Sequence, residues 1–181
     1  MTWCSFPSLA PAPLRWWLLH RASLTALLRA RCDVFAVRPV RQGFAPVHGD
    51  ERALLGLRGV ERAWVREVQL VCDGVPVVYA HSVMGRRQVQ GAWRGLKGLG
   101  NRSLGSVLFA NPRVQRGAFE FKALGTAHGL YARAARVLQA PPYSPGSPHN
   151  LWARRSMFVL QGQGLLVTEV FLPTVLDLKS R

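Results

Sequence analysis

The sequence has few acidic residues, few cysteines and no long apolar run. Nine Asp and Glu stand against 24 Lys and Arg, so the 181-residue chain carries a formal net charge of +15. Cys4, Cys32 and Cys72 lie far apart and form no C-x-x-C pair, which argues against a disulfide scaffold and against a zinc site. No apolar run reaches the roughly 18 residues of a membrane span, and residues 16–19 are too short for a signal-peptide core. We therefore expect a reduced, cytoplasmic protein without a membrane span.

The composition also excludes intrinsic disorder. Hydrophobic residues make up 49% of the chain, whereas disordered chains have low hydrophobicity. The positive charges are scattered from Arg15 to Arg181, in pairs such as Arg154 and Arg155, without the motifs typical of nucleic-acid-binding proteins. We expect no nucleic-acid partner, although nucleic acid, a small anionic substrate and solubility alone are all compatible with the charge.

Composition shifts along the chain predict one domain with a loose start. Residues 1–13 contain three prolines and are predicted as a loose N-terminal lead-in, and residues 14–181 as a single domain. Residues 126–150 are rich in Pro, Gly and Ser, which predicts a short helix followed by a mobile loop or insertion.

Turn residues and periodicity predict an antiparallel α+β fold. Asp73-Gly74 between two β-rich runs is typical of a tight hairpin, because both turn positions favour positive φ. Pro39 in the first predicted strand indicates an edge or a bulge. Helices are predicted within residues 14–31, 89–97 and 104–109, the second helix of the first range being capped by Ser23. Strands are predicted at residues 34–40, 64–72, 75–84, 118–124, 156–161 and 165–172, with a turn at Gly162-Gln163 between the last two.

Strand parity places two charged residues on apolar faces. Arg66 shares a face with Trp64, Val68 and Leu70, and Glu169 is the one charged residue in residues 165–172. Such charges are costly in an apolar interior unless they are paired or meet a ligand. One interpretation is a buried Arg66–Glu169 salt bridge, or a bulge that turns one of them to water. The other is a pocket in which Arg66 binds a carboxylate and Glu169 donates or accepts a proton.

Four segments resemble those of the chorismate pyruvate-lyase family. The first is a W-x-R-E-x-x-L hairpin strand followed by Asp-Gly, at residues 64–74. The others are LGSVLF at 104–109, LWARRS at 151–156 and LLVTEVFLP at 165–173. They occur in the family's order and, from about Trp16, cover nearly all of the chain.

This resemblance implies an enzyme and a fold. The enzyme is a cytoplasmic lyase that cleaves chorismate to 4-hydroxybenzoate and pyruvate without a cofactor or metal, the first committed step of ubiquinone synthesis. The fold is α+β, a single antiparallel sheet with helices packed on one side and helical flaps over a buried ligand pocket. Chorismate and 4-hydroxybenzoate are the implied binding partners, and we expect a monomer. The alternative is a non-catalytic sensor domain of the same fold that binds an aromatic carboxylate.

The family's substrate contacts fall on four residues. Arg66 stands at the Arg that grips the carboxylate, and Glu169 at the buried Glu that faces the ring hydroxyl; these two are the expected catalytic residues. Leu104 stands at a Leu that contacts the ligand through its main chain. Leu24 replaces a Met that also acts through its backbone, so the contact is expected to survive the change.

Two segments depart from the family's pattern. Residues 126–150 are longer than in compact members, and the second hairpin strand ends in Ala-His-Ser-Val-Met-Gly instead of reaching Val-Pro. His81 in that strand is interpreted as a polar surface or core residue and is left out of the site.

Overall fold

Strands with short turns between them dominate the fold, which a computed structural model describes for residues 2–138 and 148–178. Seven strands of this part of the chain form one antiparallel sheet in the order β1-β2-β3-β7-β6, with β4 and β5 both paired to the outer edge of β6. The strands are β1 (Phe35–Ala45), β2 (Ala63–Cys72), β3 (Val75–Met84), β4 (Gln115–Arg116), β5 (Glu120–Gly125), β6 (Asn150–Leu160) and β7 (Gln163–Phe171).

The helices are short and connect the strands. They are α1 (Ala12–Leu19), α2 (Leu24–Arg29), α3 (Gly49–Leu54), α4 (Arg86–Gln90), α5 (Leu104–Ala110) and α6 (Gly129–Val137), with 3-10 helices at Arg94–Gly98 and Pro173–Asp177. No helix in the described ranges is long and apolar enough to cross a membrane.

Two tight turns set the register at the centre of the sheet. Asp73 and Gly74 have φ of 49° and 83°, which confirms the predicted β2–β3 hairpin with two left-handed residues. The β6–β7 turn uses Gln161 and Gly162, at φ of 52° and 72°. The predicted turn at Gly162-Gln163 is therefore wrong by one residue, because Gln163 already pairs with Leu160.

Proline and serine act as predicted. Pro39 lies in the edge strand β1 at a register shift between Pro39 and Arg41, where the missing N–H costs least. Ser23 caps α2 by accepting a hydrogen bond from the Ala26 N–H. The helix predicted at residues 89–97 is instead interrupted, since α4 ends at Gln90 and the chain resumes as a 3-10 helix at Arg94.

The sheet has apolar side chains on both faces, and helices cover both. The α+β class with a single antiparallel sheet is confirmed. Helices α1, α2, α4 and α5 pack on the face that carries Val68 and Val167. The family resemblance implies helices on one side of the sheet, but α6 packs on the opposite face against Tyr79 and Val170. Helix α3 reaches His81 on that same face. The physical reason is that β3 and β7 alternate between two apolar faces, so each needs a cover.

Residues 2–13 and the helical start of residues 126–150 both pack against the rest of the chain. In residues 2–13, Cys4 pairs with Phe121 through backbone hydrogen bonds, and Ala10 is buried. Within residues 126–150, the predicted short helix is present as α6, which buries Leu130 and Tyr131. The rest of that prediction falls mainly on residues 139–147, which lie outside the described residues.

Candidate functional site

A cavity lies between one face of the sheet and the short helices α2 and α5. Its empty volume is about 510 Å³, part of which is open to solvent. Leu24, Arg66, Leu104 and Glu169 all line it, so the structure brings the four predicted site residues together. Much of the remaining wall is apolar, formed by Val37, Val68, Leu70, Leu108, Phe109, Phe158 and Val167.

The strand register explains why Arg66 and Glu169 share this cavity. Arg66 on β2 pairs with Ser82 on β3, and Glu169 on β7 pairs with Ala80 on β3. Both side chains therefore point to the same face, as the strand parity predicts. They stand two strands apart, which is about 10 Å across the sheet at the usual strand spacing. The floor thus carries a cation at one end and an acid at the other.

Arg66 is held in place but not ion-paired. Its side chain is buried, and its Nη2 donates hydrogen bonds to the carbonyls of Gly100 and Arg102, each at 3.0 Å. Its Nε is buried without a hydrogen-bond partner, and the described residues place no carboxylate within ion-pair distance of it. Burial lowers the pKa of Arg66 from its ordinary value, but a guanidinium stays charged in proteins. A buried, unpaired N–H on a cation favours an anionic ligand.

Glu169 has a different partner from the one the sequence suggested. Arg154 Nε donates to Glu169 Oε2 at 2.6 Å, and the two residues are directly opposite across the β6–β7 pair. The Arg66–Glu169 salt bridge considered from parity is therefore not formed. The Glu169 side chain is 20% exposed, so one carboxylate oxygen is anchored while the side chain still reaches the cavity.

The two helices over the cavity are joined to each other. Leu24 and Leu104 are the first residues of α2 and α5, where backbone N–H groups have no partner within the helix. Beside them, Thr25 Oγ1 and Ser103 Oγ form a buried hydrogen bond of 2.6 Å. This bond fixes the spacing of the two helix starts above the sheet.

A second charged cluster lies on the opposite face, around His81. His81 is buried, with Nε2 3.1 Å from Glu51 and Nδ1 2.9 Å from Glu67. Burial alone would lower the pKa of His81, but its hydrogen bonds to the two carboxylates and their charges raise it to about 8. Burial would raise the pKa of Glu67, but His81 and Arg133 lower it to about 2. His81 is thus a core residue, as interpreted from the sequence, and belongs to an ion cluster apart from the cavity.

Three residues of this cluster have the composition of a metal site. His48, Glu51 and His81 bring ligand atoms within 4.8 Å of one another. Both His81 nitrogens already lie against carboxylates, and Arg133 Nη2 lies 3.2 Å from His48 Nε2. A second cation beside that guanidinium would be repelled, so this grouping is better explained as an ion-paired support of β2 and β3.

Arg154 was missed as part of the site. The strand predicted from the sequence begins at Ser156, whereas β6 begins at Asn150, so the predicted strand does not include Arg154. Alternate residues of a strand share a face, so counting back from Phe158 places Ser156, Arg154 and Trp152 on one face. This alternation is the feature of the sequence that could identify Arg154.

Comparison with known sequences identifies similar proteins along the whole chain. A family profile described as chorismate lyase matches residues 1–180. A probable chorismate pyruvate-lyase of Nitrosospira multiformis is 52% identical over 97% of this chain and 95% of that protein. Proteins with the same description are 50% identical in Aromatoleum aromaticum, over 99% of this chain and 96% of that protein, and 49% identical in Nitrosomonas eutropha, over 97% and 95%.

Solved structures show the same fold at low sequence identity. The effector domain of PhnF from Mycobacterium smegmatis matches with a TM-score of 0.57 and 15% identity, over 86% of this chain and 91% of that chain. The C-terminal domain of a histidine utilization repressor from Pseudomonas syringae matches with a TM-score of 0.55 and 12% identity, over 82% and 98%. At these identities the likeness concerns the fold alone.

Proposed function

The chain belongs to the chorismate lyase family, and from that premise we propose which of its residues bind and cleave the substrate. The enzyme is a lyase that converts chorismate to 4-hydroxybenzoate and pyruvate, and the family implies a role in ubiquinone biosynthesis. A sensor function is not favoured, because the relatives at about 50% identity are described as lyases.

Arg66 binds a carboxylate of the substrate. Chorismate carries two carboxylates and a ring hydroxyl, and its product keeps one carboxylate and the hydroxyl at opposite ends of an aromatic ring. The observation that supports this assignment is the separation of Arg66 and Glu169 at two ends of one apolar-walled cavity. The unpaired Nε of Arg66 offers a charge-assisted hydrogen bond to the carboxylate.

Glu169 anchors the ring hydroxyl at the other end. In the reaction, the ether C–O bond to the ring breaks, the ring carbon that bears the hydroxyl loses its proton, and the ring becomes aromatic. The departing enolpyruvate takes up a proton to become pyruvate. Because aromatisation drives this step, the protein needs to hold one reactive conformer and exclude water rather than supply a cofactor. Glu169 is placed to hold the hydroxyl and to assist proton movement beside it.

The two helix starts complete the ligand contacts. The family resemblance assigns main-chain contacts to Leu24 and Leu104, and both residues line the cavity as the first residues of α2 and α5. First-turn N–H groups lack intrahelical partners and can donate to a ligand oxygen.

We assign the enzyme to the cytoplasm, an assignment supported by Cys32 and Cys72, which are buried as free thiols.

Chorismate turnover, followed by the absorbance of 4-hydroxybenzoate, tests these roles. Glu169→Ala should reduce turnover by about 100-fold or more, and by more than it weakens binding of the substrate. Glu120→Ala is the matched control, because Glu120 pairs with Arg155 on the face of the sheet opposite the cavity. This variant should keep full turnover. Unchanged turnover in the Glu169 variant would refute the proton role.

Substrate and product affinity test Arg66 separately. Arg66→Ala should weaken both by about 10- to 100-fold, the usual value of a hydrogen bond to a charged group. The exposed Arg113, which has no part in the cavity, provides the control variant Arg113→Ala. Undiminished affinity without Arg66 would place the carboxylate site elsewhere.

A further inference from the structure

Arg154 is a buried cation with an unusually complete set of contacts. It is 1% exposed. Its Nε donates to Glu169 Oε2, and its Nη1 lies 3.1, 3.2 and 2.7 Å from the carbonyl oxygens of Trp17, Leu18 and His20. These carbonyls belong to the end of α1, where helix carbonyls have no intrahelical donor. The guanidinium therefore joins Glu169 to the end of a helix.

The planar faces of this guanidinium are also covered. Its central carbon lies 4.5 Å from the ring centre of Phe119 and 5.5 Å from that of Phe171. Contacts at the edge and on the faces leave the side chain of Arg154 little freedom to rotate. A glutamate has three rotatable side-chain bonds, so the direction of its carboxylate depends on such a partner.

We propose that Arg154 is a positioning residue that aims Glu169 at the ring hydroxyl of the ligand. It holds Oε2 at 2.6 Å, while no hydrogen bond within the described residues engages Oε1 of Glu169. That oxygen is left to accept the hydroxyl hydrogen. This inference rests on the proposed function, because it needs the hydroxyl of chorismate or 4-hydroxybenzoate to lie at Glu169.

The neighbouring Arg155 provides a matched comparison. It lies on the same strand and is also buried, and its pairing with Thr168 places it on the opposite face. There it pairs with Asp50 at 2.8 Å and Glu120 at 2.9 Å, and it stacks on the ring of Trp3. Arg155 is thus a buried arginine like Arg154, with two carboxylate partners where Arg154 has one. It does not line the cavity.

The experiment measures how strongly the protein prefers 4-hydroxybenzoate over benzoate, which lacks the hydroxyl. Both dissociation constants are measured calorimetrically for the intact protein and its variants. The unmodified protein should bind 4-hydroxybenzoate about 10- to 100-fold more tightly, because a hydrogen bond to a charged group is at stake. Arg154→Met should reduce this ratio to within about threefold of its value in Glu169→Ala, with benzoate affinity little changed because Arg66 is intact. Arg155→Met should leave the ratio unchanged.

A conservative variant separates positioning from folding. Arg154→Lys keeps the charge and the fold but loses the fork that reaches Glu169 and α1 together, so its ratio should be intermediate. An unchanged preference for 4-hydroxybenzoate over benzoate in folded Arg154→Met overturns the inference. If Arg154→Met does not fold, the same preference in Arg154→Lys as in the unmodified protein overturns it. If the unmodified protein shows no preference for the hydroxyl and no chorismate turnover, the proposed function itself fails, which is a distinct result.

Discussion

Raising the pH through 8 is expected to destabilise the protein by way of His81. The ring lies between Glu51 and Glu67 on the face opposite the cavity, at 3.1 and 2.9 Å, and Arg133 contacts Glu67 from the other side at 2.5 Å. As long as His81 is protonated, it compensates two buried carboxylates. When it loses its proton, those carboxylates keep the desolvation cost and lose much of the compensation.

The pKa values give the size and the direction of this effect. The pKa of His81 is about 8 in the folded protein and 6.5 as its ordinary value. A raised pKa means that the stabilisation is complete below pH 6.5 and is lost as the pH rises through 8. A pKa raised from 6.5 to about 8 corresponds to about 2 kcal/mol in the free energy of unfolding. Glu67 acts at the acid end, because its stabilisation is present above pH 4.5 and is lost as the pH falls toward about 2.

Urea unfolding at a series of pH values measures this directly. The free energy of unfolding should fall by about 2 kcal/mol between pH 6.5 and pH 9. In His81→Gln the fall should be much smaller, limited to what the buried Cys72 thiol contributes near pH 9 through its raised pKa, while His149→Gln, which replaces an exposed histidine, should follow the unmodified protein. The pKa values of His48 and His128 are lowered, chiefly by burial, so these two residues titrate below the window. A flat stability profile in the unmodified protein, or an equal slope in His81→Gln, would refute the role of His81.

Two further substitutions test the cover of the cavity and the core beneath it. A Cβ at Gly105 would lie 2.9 Å from Thr25 Oγ1, so Gly105→Ala should push α5 away from α2. The substitution should weaken 4-hydroxybenzoate binding several-fold in a titration, even though alanine favours the helix over glycine by about 1 kcal/mol. Gly95→Ala has no atom within 4 Å of the added Cβ and should bind normally; equal affinities would show that the spacing of the helices is unimportant. Leu28→Ala should cost about 2–5 kcal/mol in urea unfolding, because Leu28 is fully buried. Leu176→Ala, at a residue 44% exposed, should cost much less, and equal losses would mean that Leu28 lies outside the core.

The parts of the fold that follow local rules could be predicted from the sequence. Asp73-Gly74 identifies the hairpin because few other residue pairs accept two positive φ values. Pro39 indicates the edge strand because it cannot donate a ladder hydrogen bond. The inward charges Arg66 and Glu169 stand out because period-two alternation exposes a misplaced charge in any strand.

The parts that depend on distant contacts could not be predicted. Glu51 reaches His81 from the short helix α3, and Arg154 is bonded to the end of α1, more than 130 residues away in sequence. The strand β3 is apolar on both faces, which indicates a cover on each, but the pattern does not show that α6 supplies the cover on the far side. Helices as short as α3 also carry too few residues for a periodic signal.

The high arginine content has a partly structural explanation. Three arginines, Arg66, Arg154 and Arg155, are buried, and each donates hydrogen bonds to backbone carbonyls or to carboxylates. Arginine suits such positions better than lysine because its planar fork satisfies several acceptors at once. At these three positions the positive charge is thus held inside the fold rather than spread on the surface.

A crystal structure of the protein with 4-hydroxybenzoate tests the central claim most directly. We expect one ligand between the sheet and the helices α2 and α5. Its carboxylate should lie within hydrogen-bond distance of Arg66 Nε and its hydroxyl against the Glu169 carboxylate. A ligand bound in the reverse direction, or bound outside this cavity, would contradict the assignment of Arg66 and Glu169.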